Sequence, residues 1–524
     1  MYVRFLVNII ISASSLFVIG CAHQPTNEFP ENPPTGPKNV ILMISDGIGF
    51  NGWLAADYYQ GLAGQQSYQI MRPDGTLPRV YGLAHSALNL VDGNGELLPS
   101  QTNPNKASGV VEQGYDPASR WNRFENTLLN DFQPVGIYTS YTDSAAAGTA
   151  LLSGNKTANG RINMNWDGTV QYQTIATIAI QQGLSAGTIS SVQASHATPA
   201  AVISHNISRN NYAQIFNEMA TSDLTVIMGA GHPEYDASGN MIPNQQQREY
   251  KFVGGERTYE TMRNTKQING FTFIDAKSDF ESLADGSNLP ERVIGIARSA
   301  TTLQAERKQL EQIDSISGME LNPDVPDLAT MSKGALNVLN QDDDGFFIMI
   351  EGGAVDWMGH ENNMPRFIEE QIDFNKAVNA VIAWVEQNSS WDETLLIITS
   401  DHECGGIWGE GTWTNSVGGP AAIDRSKRAL TEARYDPAFD TFNDYLAVQD
   451  RGKGNIPGYQ FASANHTNDL VPLWVIGNGG KRFEDSSMND SKAMELWGKH
   501  YNWNGDVIDN TVVFQVMYDA IMQK

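Results

Sequence analysis

Short, unbroken apolar runs punctuate the chain. Val40 to Ile44, Val135 to Tyr138, Leu224 to Met228, Phe346 to Ile350, Leu395 to Ile398 and Leu473 to Ile476 lack the polar alternation of a strand with one wet face. Such runs suit strands buried on both sides of a parallel sheet. Between them lie stretches with apolar residues three and four apart. Phe367 to Glu386 is the clearest, with Ile368, Ile372, Ala377, Val378, Val381, Ile382 and Val385 in one stripe, the pattern of a helix that covers a sheet. Strands alternating with helices predict an α/β fold, with a central, mostly parallel sheet and helices on both faces.

Two stretches break this rhythm. Gly82 to Asn122 is polar and rich in turn residues. Gly405 to Ala464 mixes Gly, Asp, Asn and aromatic residues without a period. Both read as insertions over the edge of the sheet. No linker cuts the body, so residues 38–524 read as one domain.

The first twenty residues follow other rules. Arg4 precedes a largely apolar segment, Phe5 to Ile19, which ends in Val18-Ile19-Gly20-Cys21. The segment is short for a membrane span and reads as a targeting signal over residues 1–20. A small residue before a cysteine at its end resembles a bacterial lipobox, which implies cleavage before Cys21 and lipid attachment to it. The alternative is an ordinary signal peptide with a chance cysteine. Residues 21–37 are rich in Pro, Asn and Thr and read as a flexible tether. The expectation is a protein held by lipid to a bacterial membrane, in the periplasm or at the cell surface.

The formal net charge is −26. That excludes a nucleic-acid partner, because phosphate backbones require Lys and Arg to neutralise them. It also means that any chemistry on anions must create a local positive site. The chain has two cysteines. With Cys21 accounted for, Cys404 stands alone and no internal disulfide forms. Cys404 reads as a small buried residue rather than a ligand.

Chemistry-bearing residues gather just after the apolar runs, where ligands bind in open α/β sheets. Asp46 follows the first run, with glycines beside it. Tyr141 to Ala150 is rich in small residues and predicts a helix starting near Asp143-Ser144. A serine there sits beside free N–H groups and the positive end of the helix dipole, a ready phosphate site, or else Asp143 and Ser144 are simply capping residues. Asp356 and His360 are four apart, so on a helical turn they share a face, and Glu351 ends the preceding run. Asp401-His402 follows the next run. His466 precedes the last, where a lone histidine is as readily structural. Carboxylates and imidazoles without thiolate suit zinc or a similar ion, in number enough for two close metals and a third site. Two metals and a hydroxyl nucleophile are the equipment of in-line phosphoryl transfer.

In this order the pieces resemble the alkaline phosphatase family. They are Asp46, Asp143-Ser144-Ala145, His196-Ala197-Thr198-Pro199-Ala200, Ser208-Arg209, Glu351 with Asp356 and His360, Asp401-His402 and His466-Thr467. The resemblance runs from Asn39 to about Gly477 and implies a three-layer sandwich with a crown-like insertion at 405–464. It also implies hydrolysis of small phosphate monoesters by a homodimer carrying two zinc ions and one magnesium.

Carried over by residue, the resemblance makes Ser144 the nucleophile and Arg209 the phosphate clamp. Asp356, His360 and His466 would hold the first zinc, and Asp401 and His402 the second. Asp46 would bridge the second zinc and the magnesium, whose site Thr198 and Glu351 complete. His196 and Trp357 depart from the best-known enteric bacterial pattern, which has Asp and Lys there, and with Asp143 they would line the substrate site. A His at 196 weakens the case for tight magnesium, and Trp357 removes a positive charge near phosphate. Relatives that share the metal frame cleave phosphodiesters or sulfate esters, but they lack the Asp-Ser-Ala context and the arginine. A surface lipoprotein that binds metal or phosphate without turnover is the remaining alternative. His205 is expected on a helix, as a core or supporting residue, and His85 and His232 at the surface.

Overall fold

In the computed structural model the apolar runs do become strands sealed on both sides. The structure describes residues 36–523 except 73–74, 76, 99–105, 113, 118–140, 309–314, 410–445, 462 and 487. Strand β1 (Asn39–Ser45) shows the logic. Val40, Leu42 and Ile44 point into one hydrophobic core, while Ile41 and Met43 point into the other. A strand alternates its side chains between faces, so a continuous apolar run fills two cores at once. Each fully buried aliphatic side chain contributes roughly 1.5–3 kcal/mol.

Twelve strands form the central sheet. After β1 they are β2 (Arg79–Ala84), β3 (Ser185–Gln193), β4 (Val226–Ala230), β5 (Gln267–Ile268), β6 (Phe271–Ile274), β7 (Val293–Ile296), β8 (Phe346–Gly352), β9 (Thr394–Thr399), β10 (Val471–Gly477), β11 (Met488–Asn489) and β12 (Asp506–Asp509). Their spatial order is β11-β12-β2-β10-β9-β1-β8-β3-β4-β7-β6-β5. The centre, β9-β1-β8-β3-β4, is parallel throughout. Strand β10 runs antiparallel to both of its neighbours. The mostly parallel α/β sandwich is as the sequence predicts.

Helices α1 (Phe50–Gln60), α6 (Leu328–Leu339), α7 (Ala354–His360) and α8 (Met364–Asn388) cover one face. Helices α2 (Ser144–Ser153), α3 (Ile175–Gln181), α4 (Ala197–Ala200), α5 (Tyr212–Thr221) and α9 (Thr511–Met522) cover the other. Helix α8 contains the predicted stripe and extends it at both ends. Its start is set by Asn363, whose side chain accepts from the Arg366 N–H, and by a proline in the first turn, a position that needs no N–H donor. Helix α2 starts where expected, because the Asp143 side chain accepts from the Ala146 N–H, and Gly154 ends it in the left-handed region at φ 70°.

Some expectations change. The stretch Gly82–Asn122 is not wholly an insertion. Gly82 to Ala84 finish β2 inside the central sheet, and Leu88–Val91 pairs with Gly109–Glu112 in a separate hairpin. A single polar-looking segment can supply a strand when its neighbours bury it. The strand expected at Leu224 starts later, at Val226. The strand expected at Val135–Tyr138, the 1–20 signal, the tether to residue 35, Cys21 and most of the 405–464 crown lie outside the described residues. Among the described residues no helix is long and apolar enough to cross a membrane.

Candidate active site

The site forms at the carboxyl ends of four adjacent strands, β9, β1, β8 and β3. Asp46 follows β1, Glu351 is the next-to-last residue of β8, Asp401 and His402 follow β9, and β3 carries Ser190. Gly47 makes the close packing possible. Its φ is 75°, and a Cβ there would sit 2.5 Å from the Asp356 Cα. Only glycine takes that conformation without cost and leaves that space. Asp46 and Asp356 can therefore approach each other.

Helix α7 follows β8 at once, which brings Asp356 and His360 to the same place on adjacent turns. Short strands Glu403–Cys404 and His466–Thr467 pair antiparallel, with Cys404 opposite His466. This pairing carries His466 to the ligands after β9, across more than sixty residues of intervening chain. Helix α2 reaches the site because it is built of small residues. A Cβ on Gly148 would lie 3.1 Å from the Ala201 Cβ, so α2 packs close to α4, which carries Thr198.

The first donor group is Asp356, His360 and His466. His466 Nε2 lies 3.3 Å from Asp356 Oδ1, and His360 Nε2 lies 3.5 Å from Asp356 Oδ2. The two Nε2 atoms are 3.1 Å apart. The His466 Nδ1 donates to the Thr142 carbonyl at 2.6 Å, and the His360 Nδ1 donates to the Ala464 carbonyl at 2.7 Å. A ring nitrogen that donates to a carbonyl leaves the other nitrogen with a lone pair. Two lone pairs and a carboxylate thus converge with no proton to share between them. A cation resolves this. Failing that, a proton does, and although burial opposes it, the Asp356 carboxylate pushes His466 up to about 9.

The second group surrounds His402. Its Nε2 lies 3.2 Å from the Ser144 hydroxyl, 3.2 Å from Asp401 Oδ2 and 3.5 Å from Asp46 Oδ1. Burial, and then the nearby His466, holds His402 well below the ordinary histidine range, so it stays neutral with a nitrogen free to donate. The third group is Asp46, Thr198 and Glu351. The Thr198 hydroxyl lies 3.5 Å from Asp46 Oδ2, and Ser190 donates to Glu351.

Asp46, Glu351 and Asp401 are all fully enclosed. Burial first, and then their mutual repulsion, pushes Asp46 well above the usual carboxylate range. Asp46 Oδ1, Glu351 Oε1, Asp356 Oδ1 and Asp401 Oδ2 are buried oxygens without a hydrogen-bond donor. Buried charges of one sign without donors are costly unless a cation binds. The residues fit divalent metal ions in both number and chemistry. Groups of such donor atoms, Asp356–His360–Cys404–His466 and Asp46–Asp356–His402, fall within 4.8 Å of one another.

The anion side faces these groups. Ser144 is buried at the first position of α2, where the dipole is positive. Asp143 accepts from the Gly160 N–H at 2.9 Å and from Arg209 Nη1 at 3.1 Å, which fixes the guanidinium beside the start of α2. Burial disfavours the charge on Arg209, but Asp143 more than offsets it and holds the group protonated. His196 stacks on Tyr212, and its ring centroid lies 5.7 Å from that of Trp357. Burial, and then Arg209, pushes His196 down to about 3, so it faces the site as a neutral imidazole.

All the expected site residues within the described chain meet at this one place. Some contributors had no sequence signal. Thr142 and Ala464 act through backbone carbonyls, and Ser190 through a hydroxyl on a strand. Cys404 is buried as expected, yet it also stands among the metal-type donors. Three histidines differ from expectation. His85 and His232 are buried, not at the surface. His85 bonds the Asp469 carbonyl at 2.8 Å, and the His232 Nδ1 accepts from the Glu234 N–H at 3.2 Å. His205 lies in the loop after the turn that follows α4 rather than on a helix, paired with Glu218 at 3.1 Å. Polar partners distant in sequence made two of these positions worth burying, the Asp469 carbonyl for His85 and the Asp275 carboxylate, 3.5 Å away, for His232.

Comparison with known proteins gives the same picture. A profile of the alkaline phosphatase family matches residues 120–454. The chain is 29% identical over 320 residues to alkaline phosphatase 3 of Bacillus subtilis, a match covering 58% of this chain and 58% of that relative. It is 26% identical over 386 residues to alkaline phosphatase 4 of the same organism, covering 67% and 75%. The match thus spans less than two thirds of the first relative's length. The fold is similar to that of an alkaline phosphatase from the Antarctic bacterium TAB5, with a TM-score of 0.53, 19% identity, and coverage of 94% of this chain and 99% of that one. A variant of that protein with a histidine replaced by aspartate, and magnesium bound in a site named M3, gives a TM-score of 0.51 at the same identity and coverage.

Proposed function

Because this chain belongs to the alkaline phosphatase family, we propose that it hydrolyses phosphate monoesters to an alcohol and inorganic phosphate through a phosphoserine on Ser144. One observation carries the reading. The Ser144 hydroxyl lies at a helix N-terminus, 3.2 Å from His402 Nε2, with an arginine fixed by Asp143 on one side and two buried N/O donor groups on the other.

In the first half-reaction Ser144 Oγ attacks phosphorus, and the ester P–O bond breaks to release the alcohol. In the second, water attacks the same phosphorus and the Ser144 Oγ–P bond breaks. Arg209 can hold two phosphate oxygens in one planar fork, which lysine cannot reproduce. The α2 dipole adds positive potential where the transferring group carries spread-out negative charge. Asp143 keeps the guanidinium aimed. Asp356, His360 and His466 would hold one zinc, Asp401, His402 and Asp46 a second, and Asp46, Thr198 and Glu351 a magnesium. Bound there, these ions would lower the pKa of the hydroxyl and of water and offset charge on the leaving oxygen. The neutral His196 makes the third site less favourable to magnesium.

The homodimer, the lipid on Cys21, the placement outside the cytoplasm and a role in scavenging phosphate belong to this same reading. The sequence signal supports the lipid and the compartment, and the family supports the dimer.

The test is hydrolysis of p-nitrophenyl phosphate at alkaline pH by wild type and Ser144→Ala, before and after chelation, with zinc and magnesium added back. Activity that collapses in the variant and under chelation, then returns with zinc, supports the reading. Wild type that ignores this ester but cleaves bis-p-nitrophenyl phosphate would replace it with a phosphodiesterase. Wild type inactive on both would make the chain a binding protein.

A further inference from the structure

We propose that Cys404 is a fourth, sulfur donor to the metal held by Asp356, His360 and His466, which makes this site selective for soft and borderline divalent ions. The inference deepens the metal reading above and rests on it. The two imidazole nitrogens already stand 3.1 Å apart, with His466 Nε2 3.3 Å from Asp356 Oδ1 and His360 Nε2 3.5 Å from Asp356 Oδ2. Ligands about 2.0–2.3 Å from a tetrahedral ion lie about 3.3–3.8 Å from one another, so these three can share one ion. The Cys404 Sγ belongs to the same group, within 4.8 Å of a donor atom of each. It therefore needs to move inward by at most about 1 Å to complete a tetrahedron.

Its place is built, not incidental. Cys404 is fully buried and pairs directly with His466 across the short antiparallel ladder, so sulfur and imidazole leave adjacent strands on neighbouring positions. Helix α7 makes room for it at Gly359, where a Cβ would lie 3.1 Å from both the Cβ and the Sγ of Cys404. Any larger residue at 359 would push the strand, and the sulfur with it, away from Asp356 and His360. The carboxylate among these donors points to an ion in the same space. Asp356 is 5% exposed, and its Oδ1 is a buried oxygen with no hydrogen-bond donor, although it is directed at this group.

The chemistry follows from softness. Zinc, cobalt and cadmium gain from a thiolate, whereas magnesium and manganese prefer oxygen. As the metal–sulfur bond forms, the S–H bond breaks and the proton goes to solvent. Five-coordinate zinc occurs at catalytic sites, so four protein donors leave one position open. The His360 side chain, 40% exposed, marks the side on which that position meets solvent.

The full-length protein, stripped by chelator and titrated with cobalt(II), tests this. A sulfur-to-cobalt charge-transfer band should grow in the near ultraviolet in wild type and in Cys21→Ser, and should be absent in Cys404→Ser and Cys404→Ala. Cadmium should bind Cys404→Ser more weakly, on the order of tenfold or more. Wild type that binds cobalt without the band overturns the proposal even if either Cys404 variant fails to fold, and so does a band that survives in Cys404→Ser. Parallel hydrolysis of p-nitrophenyl phosphate by zinc-loaded wild type separates the two readings. Activity without the band sinks the sulfur ligand alone, and the band without activity sinks the hydrolase alone.

Discussion

His466 Nε2 faces His360 Nε2 at 3.1 Å, and each ring is oriented by a carbonyl behind it, Thr142 for one and Ala464 for the other. The histidines come from a helix and from a strand more than a hundred residues later in the chain. A metal held by these nitrogens and Asp356 would bind the folded chain and not the unfolded one, so it should stabilise the fold. We expect chelation to lower the melting temperature and zinc to restore it, by about 4 kcal/mol when free zinc stands roughly a thousandfold above its Kd. His466→Asn should lose much of that gain. Calorimetry showing the same zinc shift in wild type and variant would count against the site.

Arg209 and Asp143 act as a pair, so Arg209→Lys should do more harm than loss of charge alone. A lysine keeps the positive charge but cannot make two parallel bonds. The loss is about 1.5–3 kcal/mol, or roughly tenfold to a hundredfold in kcat/KM on p-nitrophenyl phosphate. Asp143→Asn should raise KM in the same direction by a smaller factor. Steady-state kinetics in which Arg209→Lys matches wild type would remove the bidentate role.

Trp357 sits beside His196 and contributes no charge where a lysine would. Trp357→Lys should therefore bind phosphate more tightly, with an inhibition constant lower by on the order of tenfold at low salt. Slower product release should lower kcat in parallel. An inhibition constant that stays put or rises contradicts this, and would leave Trp357 as a packing residue.

His196 stands two residues before Thr198, at the start of α4, and as a neutral imidazole it offers no negative charge. His196→Asp should tighten magnesium, measured by calorimetric titration of the zinc-loaded protein, by on the order of tenfold or more. Unchanged magnesium affinity would place His196 outside the reach of that ion.

Glu370 links pH to stability. It lies in α8, 5% exposed, and burial, followed by repulsion from Asp373 and Glu369, pushes it from 4.5 to about 8. A carboxyl whose folded pKa is raised binds its proton more tightly when folded. Its contribution is therefore complete below about 4.5 and is lost as pH rises to about 8. Glu370→Gln should flatten that fall, by a few kcal/mol at most. Denaturant titrations at intervals across this window would show it, and parallel curves for variant and wild type would refute it.

Local information reaches some of these residues and not others. Strands β1, β4, β8, β9 and β10 and helix α8 were legible because their apolar periodicity is written in consecutive residues, whereas β2 and β3 mix Arg, Ser, Thr, Gln and Gly among their apolar residues and show no such run. The N-terminus of α2 was legible because Asp143 caps it from one residue away. Asp46, Asp356, His360, Asp401 and His402 were legible because a strand end is a local feature, and the chemistry-bearing residue comes just after it. Thr198, Arg209 and His196 carried no such mark and joined the set through family resemblance, which also gave the lone His466 its role.

By itself the sequence determined the α/β class, the site's place at the strand ends and the donor types available to it. All of these follow from short-range patterns and the chemistry of single side chains. Only the tertiary structure decided which donors stand close enough to share an ion. That choice depends on the ladder that sets Cys404 opposite His466, on the left-handed Gly47 that lets Asp46 approach Asp356, and on carbonyls that orient the imidazoles from distant loops. Burial of His85 and His232 was decided the same way. A polar group goes inside when a partner waits there, and the chain reveals that partner only once it is folded.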